Sequence, residues 1–144
     1  MNEARVRAPW HLWVIGIVST LWNLVGAFDY LATELRWEPY MSEFTQQQLD
    51  YFYGFPAWMV AAWALGVWGA LAGSICLLLR KRWAVLMFGI SMVGLAVSTV
   101  YNFGLSNGLE IMGNGGVIFT VVIWIIAILL FLYARAMSKK GVLS

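Results

Sequence analysis

Four apolar segments, each about as long as a bilayer crossing requires, constrain this chain more than any other feature of its sequence. A helix rising about 1.5 Å per residue needs roughly 20 mostly apolar residues to cover a hydrocarbon core about 30 Å thick. The segments run over about 12–32, 56–79, 83–105 and 117–134. The last three carry no charged side chain, and the first carries only Asp29. Backbone amides in lipid must be satisfied within their own element, and uninterrupted apolar runs of this length lack the alternation of barrel strands. The expected fold is therefore all-α, a single polytopic domain of four transmembrane helices. With 62% hydrophobic and 11% charged residues, the composition excludes both a water-soluble globular domain and a disordered chain.

Basic residues set the expected orientation, because short loops rich in Lys and Arg stay on the cytoplasmic side. Arg5 and Arg7 precede the first segment, Arg80, Lys81 and Arg82 join the second to the third, and Arg135, Lys139 and Lys140 follow the fourth. Only Arg36 falls on the opposite side, together with Glu34, Glu38, Glu43, Asp50 and Glu110. Both termini are thus expected in the cytoplasm. Arg5, Arg7 and the apolar run after them also invite a signal-peptide reading, but no A-x-A-like site follows a short apolar core, so the first helix is kept in the mature chain. Trp10, Trp13 and Trp83 sit near the inner boundary and Trp37 and Trp58 near the outer one, where indoles anchor. Trp22, Trp63, Trp68 and Trp124 lie deeper.

The connection between the first two segments carries helix signals of its own. Thr45 and Gln48 have capping-box spacing, flanked by the staple pair Phe44 and Leu49. Gly54, Phe55 and Pro56 give a stop, with glycine suited to a left-handed conformation and proline to the first position of the next helix. A short amphipathic helix is expected there, resting Leu49, Phe52 and Tyr53 on the outer surface or on the helix tips, as a structural cap or as a gate. The basic turn Arg80–Arg82 is expected to face anionic lipid. The stretch SNGLEIMGNGG at 106–116 is expected to be a mobile loop.

Helices in lipid associate through close approach of small residues. Ala62, Gly66, Ala70 and Ser74 recur every fourth residue in the second segment, and Gly69 with Gly73 marks an adjoining face. That helix is expected to contact two neighbours, at the centre of the bundle or at a subunit contact. Ser91, Gly94 or Leu95, Ser98 and Asn102 form a polar seam on the third segment, and Thr20 and Asn23 share a face of the first. Asn23 and Asn102 need partners and should point inward, in interhelical hydrogen bonds or along a polar path. The hexamers VSTLWN (18–23) and VSTVYN (97–102) suggest a duplicated hairpin, though they sit at different depths and their flanks do not align.

Asp29, the one ionisable group inside a span, is either an interfacial carboxylate reached by water and Arg36 or a proton or cation site. The deep tryptophans are a second lead, since aromatic faces bind sugars, quinones and organic cations. Trp63 and Trp68 stand about 140° apart around their helix and cannot share one wall. The candidate polar path or binding set is Asp29, Asn23, Asn102, Ser98, Trp22 and Trp68. Helix packing is assigned to Ala62, Gly66, Gly69, Ala70 and Gly73.

No nucleophile, base and orienting group stand at usable spacing, so no enzyme is expected. His11 reads as an interfacial anchor. Cys76 is the only cysteine and His11 the only histidine, which argues against a metal or other cofactor, and the basic residues form no nucleic-acid-binding face. Two functions remain. One is a small transport component or pore for a small solute, acting as an oligomer. The other is a non-transporting accessory subunit of a larger membrane complex.

The runs NLVGAFDY (23–30) and FPAWMVAAWALGVWGALAG (55–73), with Arg82, Trp83 and Ala84, resemble a group of small, mostly uncharacterised bacterial inner-membrane proteins, some loosely labelled sugar transporter. That resemblance implies a bacterial inner membrane, a periplasmic placement for the short amphipathic helix and, for some members, a sugar-like solute.

Overall fold

A computed structural model describes residues 6–144 of the chain. Its elements are α1 (Trp10–Glu34), α2 (Glu38–Met41), α3 (Gln46–Tyr53), α4 (Ala57–Leu78), α5 (Trp83–Val100) continued by a π-helical turn (Tyr101–Leu105), and α6 (Gly108–Lys139). The described residues contain no strand. Four helices, α1, α4, α5 with its π turn, and α6, are long and apolar enough to cross a membrane. The chain is a multi-pass integral membrane protein of all-α fold, with α2 and α3 folded across one end of the bundle.

Packing radiates from α4, which lies between α1 and α5; α6 lies on the far side of α5. At about 100° per residue, Ala62, Gly66, Gly69 and Gly73 fall within an arc of about 60°, and that arc faces α5. A Cβ at Gly94 would stand 2.5 Å from the Ala62 carbonyl oxygen and 2.6 Å from the Gly66 nitrogen, and one at Gly69 would stand 3.1 Å from the Ser91 nitrogen. The two backbones therefore touch, and Ser91 Oγ donates to the Gly66 carbonyl at 2.6 Å. Ala70 and Ser74 have rotated out of that arc and serve α1. Asn23 Nδ2 donates to the Ala70 carbonyl at 3.1 Å and to Ser74 Oγ at 2.7 Å. The every-fourth-residue stripe thus splits between two neighbours, because each step of four adds about 40°.

At the end opposite the cap the four long helices converge on a buried cluster that includes Leu12, Leu77, Ala84, Phe88, Leu130 and Ala134. The chain after α6 completes it. Gly141 takes φ 79°, the Val142 nitrogen bonds the Met137 carbonyl at 3.0 Å and the Gly141 nitrogen bonds the Ser138 carbonyl at 3.1 Å, a Schellman end that folds Val142 and Leu143 into the cluster. Arg80 of the basic turn also ties the two ends of the chain together. Its Nε donates to the Val142 carbonyl at 3.1 Å and its terminal nitrogen to the Val6 carbonyl. Arg5, the first basic residue of the charge pattern, lies outside the described residues.

Other boundaries also differ from the sequence reading. The first helix starts at Trp10 and ends at Glu34, and α6 begins at Gly108 rather than near 117 and runs to Lys139. From Gly108 onward the glycine-rich stretch is helical except at Gly113, whose φ of 68° and ψ of −163° bend the helix. Gly54 has φ −88°, not a left-handed conformation; a Cβ there would stand 3.0 Å from the Asp50 carbonyl oxygen. Pro56 is the N-cap of α4, one position before the expected place.

Candidate functional site

The bundle is hollow beneath the cap. A cavity of about 490 Å³ lies among α1, α4, α5 and α6 beneath the cap, and a second of about 230 Å³ continues from it toward the π turn. Asp29, Phe52, Trp63, Ser98 and Phe119 are among the residues bordering both. Neighbouring helices pack along the sides α1–α4, α4–α5 and α5–α6. On the fourth side α1 and α6 meet through side chains: His11 Nδ1 and the Tyr133 hydroxyl at 2.5 Å near the end opposite the cap, and Trp22 against Phe119 at 6.1 Å closer to the cap.

The cap is built from its own capping box. Thr45 Oγ1 accepts from the Gln48 nitrogen at 3.1 Å, and Gln48 Oε1 accepts from the Thr45 nitrogen at 3.1 Å. Leu49, Phe52 and Tyr53 are half-buried, and Tyr51, which the expected face did not include, joins them. The Tyr51 hydroxyl donates to Asn102 Oδ1 at 2.5 Å and lies 2.8 Å from Ser106 Oγ, which itself donates to the Tyr101 carbonyl at 2.7 Å. Burial raises the pKa of Tyr51, partly offset by its contact with Ser106, so it stays a donor at neutral pH. The π turn places these groups. Its widened backbone brings Asn102 and Ser106 to one side, where the buried Gly108 packs against the Asn102 carbonyl and the Tyr51 hydroxyl.

Asp29 stands at the outer end of the larger cavity. The Tyr40 hydroxyl, carried on α2, donates to its Oδ1 at 2.5 Å. Burial, this hydrogen bond and the adjacent carboxylate charge push the Tyr40 pKa up to about 12, so Tyr40 holds its proton. Arg36 does not take the role of ion-pair partner foreseen for it. Its guanidinium lies 4.1 Å from the ring centre of Tyr53, on a backbone with φ 52°.

A chain of aromatic rings runs from Tyr40, which holds the carboxylate, to Trp63. Tyr40 meets Phe44 at 5.5 Å, Phe44 meets Phe52 at 5.3 Å, Phe52 meets Phe55 at 6.2 Å and Phe55 meets Trp63 at 5.9 Å, all edge to face. Four of these rings, Tyr40, Phe44, Phe52 and Trp63, border the larger cavity with Asp29. Ser98 borders both cavities, and its hydroxyl is buried without a hydrogen-bond partner among the described residues.

Of the residues singled out from sequence, the structure brings Asp29, Asn23, Ser98 and Trp22 to the larger cavity and Asn102 to the smaller one. Asn23 is occupied by α4, as its amide chemistry required. Trp68 is not brought there. It is 38% exposed on the outer face of α4 and meets Tyr30 at 6.1 Å. Trp63, across the helix from it, takes the wall instead. Trp124 is also turned away, donating its indole N–H to Thr99 Oγ1 at 3.0 Å. Tyr40, Phe44 and Tyr51 were not anticipated from sequence; aromatic spacing within the cap was the only available signal. Among the described residues no three His, Cys, Asp or Glu side chains gather as a metal site. No protein-family model matches the chain, and no match to a curated protein or to a solved structure was found.

Proposed function

We propose that this integral membrane protein is a small transport component whose cavity beneath the outer cap receives a small solute. The observation that carries the reading is the position of Asp29: a carboxylate facing a cavity among the spanning helices, where ionisable groups mark solute and ion paths. The pocket is mostly apolar with a few convergent polar groups, the usual make-up of a small-molecule site. Its polar groups suit a solute with one polar end better than the many hydroxyls of a sugar. The larger cavity ends against Phe88 and Leu130, which belong to the buried cluster that also holds Leu12 and Leu77, so passage requires that cluster to part or a second copy to complete the path.

In this reading the protein lies in a bacterial inner membrane with both ends cytoplasmic and the α3 cap outside, as the resemblance and the basic residues at the inner end favour, and it catalyses no reaction. The accessory-subunit alternative loses its main support, because the small-residue faces of α4 are occupied by α1 and α5 of the same chain. Flux of small cationic, neutral and sugar solutes into proteoliposomes tests the proposal. Uptake above that of empty liposomes, lost on Asp29→Asn, is the expected result. No uptake of any of them by the wild-type protein favours the accessory subunit.

A further inference from the structure

We infer that the solute is a monovalent organic cation, an amine or quaternary ammonium on an apolar body, with its charge held between Asp29 and the rings of Tyr40, Phe44, Phe52 and Trp63. The inference rests on the cavity being a solute site, and it names the class.

Three observations converge. First, the charges bordering the cavity have one sign: Asp29 lines both parts, and no Lys, Arg or His lines either among the described residues. An anion would meet no counter-charge there, and a neutral solute would leave the carboxylate unpaired in a low-dielectric site. Second, the carboxylate shares its cavity with four aromatic rings, Tyr40, Phe44, Phe52 and Trp63. Tyr40 and Phe44 stand at 76° to one another and Phe44 and Phe52 at 90°, so the rings form walls rather than a stack. A cation within about 6 Å of a ring face is attracted by the ring quadrupole, the more so when water is excluded. Tyr40 occupies Oδ1 of Asp29, which fixes the carboxylate while Oδ2 remains for the solute. Third, the wall below is apolar, with Leu95, Phe119 and Ile123, and is interrupted by the orphan hydroxyl of Ser98. An alkyl or aryl body fits that wall, and a second polar atom on it would satisfy Ser98.

A bare metal ion fits less well. The cavity holds a single carboxylate and far more space than a dehydrated ion occupies, whereas hard cations take six or more oxygen ligands.

The test is equilibrium binding to the full chain in mild detergent, using phenyltrimethylammonium, its uncharged isostere tert-butylbenzene, and benzoate. We expect saturable binding of the cation at least tenfold tighter than that of the isostere, and no binding of benzoate. Asp29→Asn should weaken the cation at least tenfold and leave the isostere within twofold. Trp63→Leu is the second variant and should weaken the cation more than the isostere; it decides the matter if Asp29→Asn does not fold. Equal affinity for cation and isostere, or a cation affinity indifferent to both substitutions, overturns the class while the cavity stands as a solute site. Absence of saturable binding for all three probes overturns the solute-site reading, and this inference with it.

Discussion

Tyr40 donates a 2.5 Å hydrogen bond to Asp29 across eleven residues of chain, joining the short helix of the cap to the last turns of α1. The tyrosine pKa is raised from 10.0 to about 12 by burial and by that carboxylate. Because the folded state holds this proton more tightly than the unfolded state, Tyr40 is neutral with respect to pH below about 10 and costs stability as pH rises from 10 to 12. Denaturation in mixed micelles at a series of pH values should show the decline in the wild type and a shallower one in Tyr40→Phe. Absorbance titration should show one fewer late-ionising phenol in the variant. Equal slopes in the two proteins would mean that the bond to Asp29 does not form.

Asn23 is the strongest polar link between α1 and α4, with its amide shared between the Ala70 carbonyl and Ser74 Oγ. Interhelical hydrogen bonds in membrane proteins contribute about 0.6 kcal/mol on average and about 1.7 at most. Asn23→Ala should therefore cost about 1 kcal/mol in unfolding free energy. Adding Ser74→Ala should cost less than the sum of the two single changes, since both remove one bond. Strict additivity would show that Asn23 uses another partner.

Much of this architecture was legible because its causes are local. Span length, the basic turn, the capping box at Thr45 and the need of Asn23 for a partner all follow from neighbours in sequence. The glycine spacing of α4 likewise foretold two contacting helices, and it lacked only the helical rotation that hands Ala70 and Ser74 to α1. What escaped was set by pairing at a distance. Tyr51 reaches Asn102, 51 residues away, and this contact accompanies the seating of Gly108 and an α6 longer than hydropathy alone suggests. The choice of Trp63 over Trp68 depended on which side of α4 met α5, and no spacing rule within α4 contains that. Arg80 was read by its charge, whereas the fold uses its donors.

Two glycines separate space from conformation. A Cβ at Gly94 would press on the Ala62 carbonyl and the Gly66 nitrogen at 2.5 and 2.6 Å, both backbone atoms that cannot rotate away. At Gly26, within α1, nothing stands within 4 Å. Gly94→Ala should part α4 from α5 and destabilise by about 1–3 kcal/mol, the usual range for overpacking. Gly26→Ala should be neutral or should stabilise by up to about 1 kcal/mol through helix propensity. Unfolding midpoints of the two variants check the pair, and a smaller loss for Gly94→Ala than for Gly26→Ala would contradict the observed crossing.

The cap is fastened by few contacts and should open more readily than the bundle. α3 has eight residues, none of them buried, and its Tyr51 hydroxyl reaches Asn102 on the π turn. Tyr51→Phe removes that donor and leaves Asn102 Oδ1 to water. Amide hydrogen exchange in α3 should then accelerate several-fold, by about the tenfold that 1.4 kcal/mol represents if the whole bond is lost. Exchange in α4 and α5, held by the Gly66–Gly94 crossing, should not change. If both regions accelerate together, α3 is part of one cooperative unit with the bundle; if neither does, the aromatic contacts of Phe44, Phe52 and Phe55 hold the cap without Tyr51.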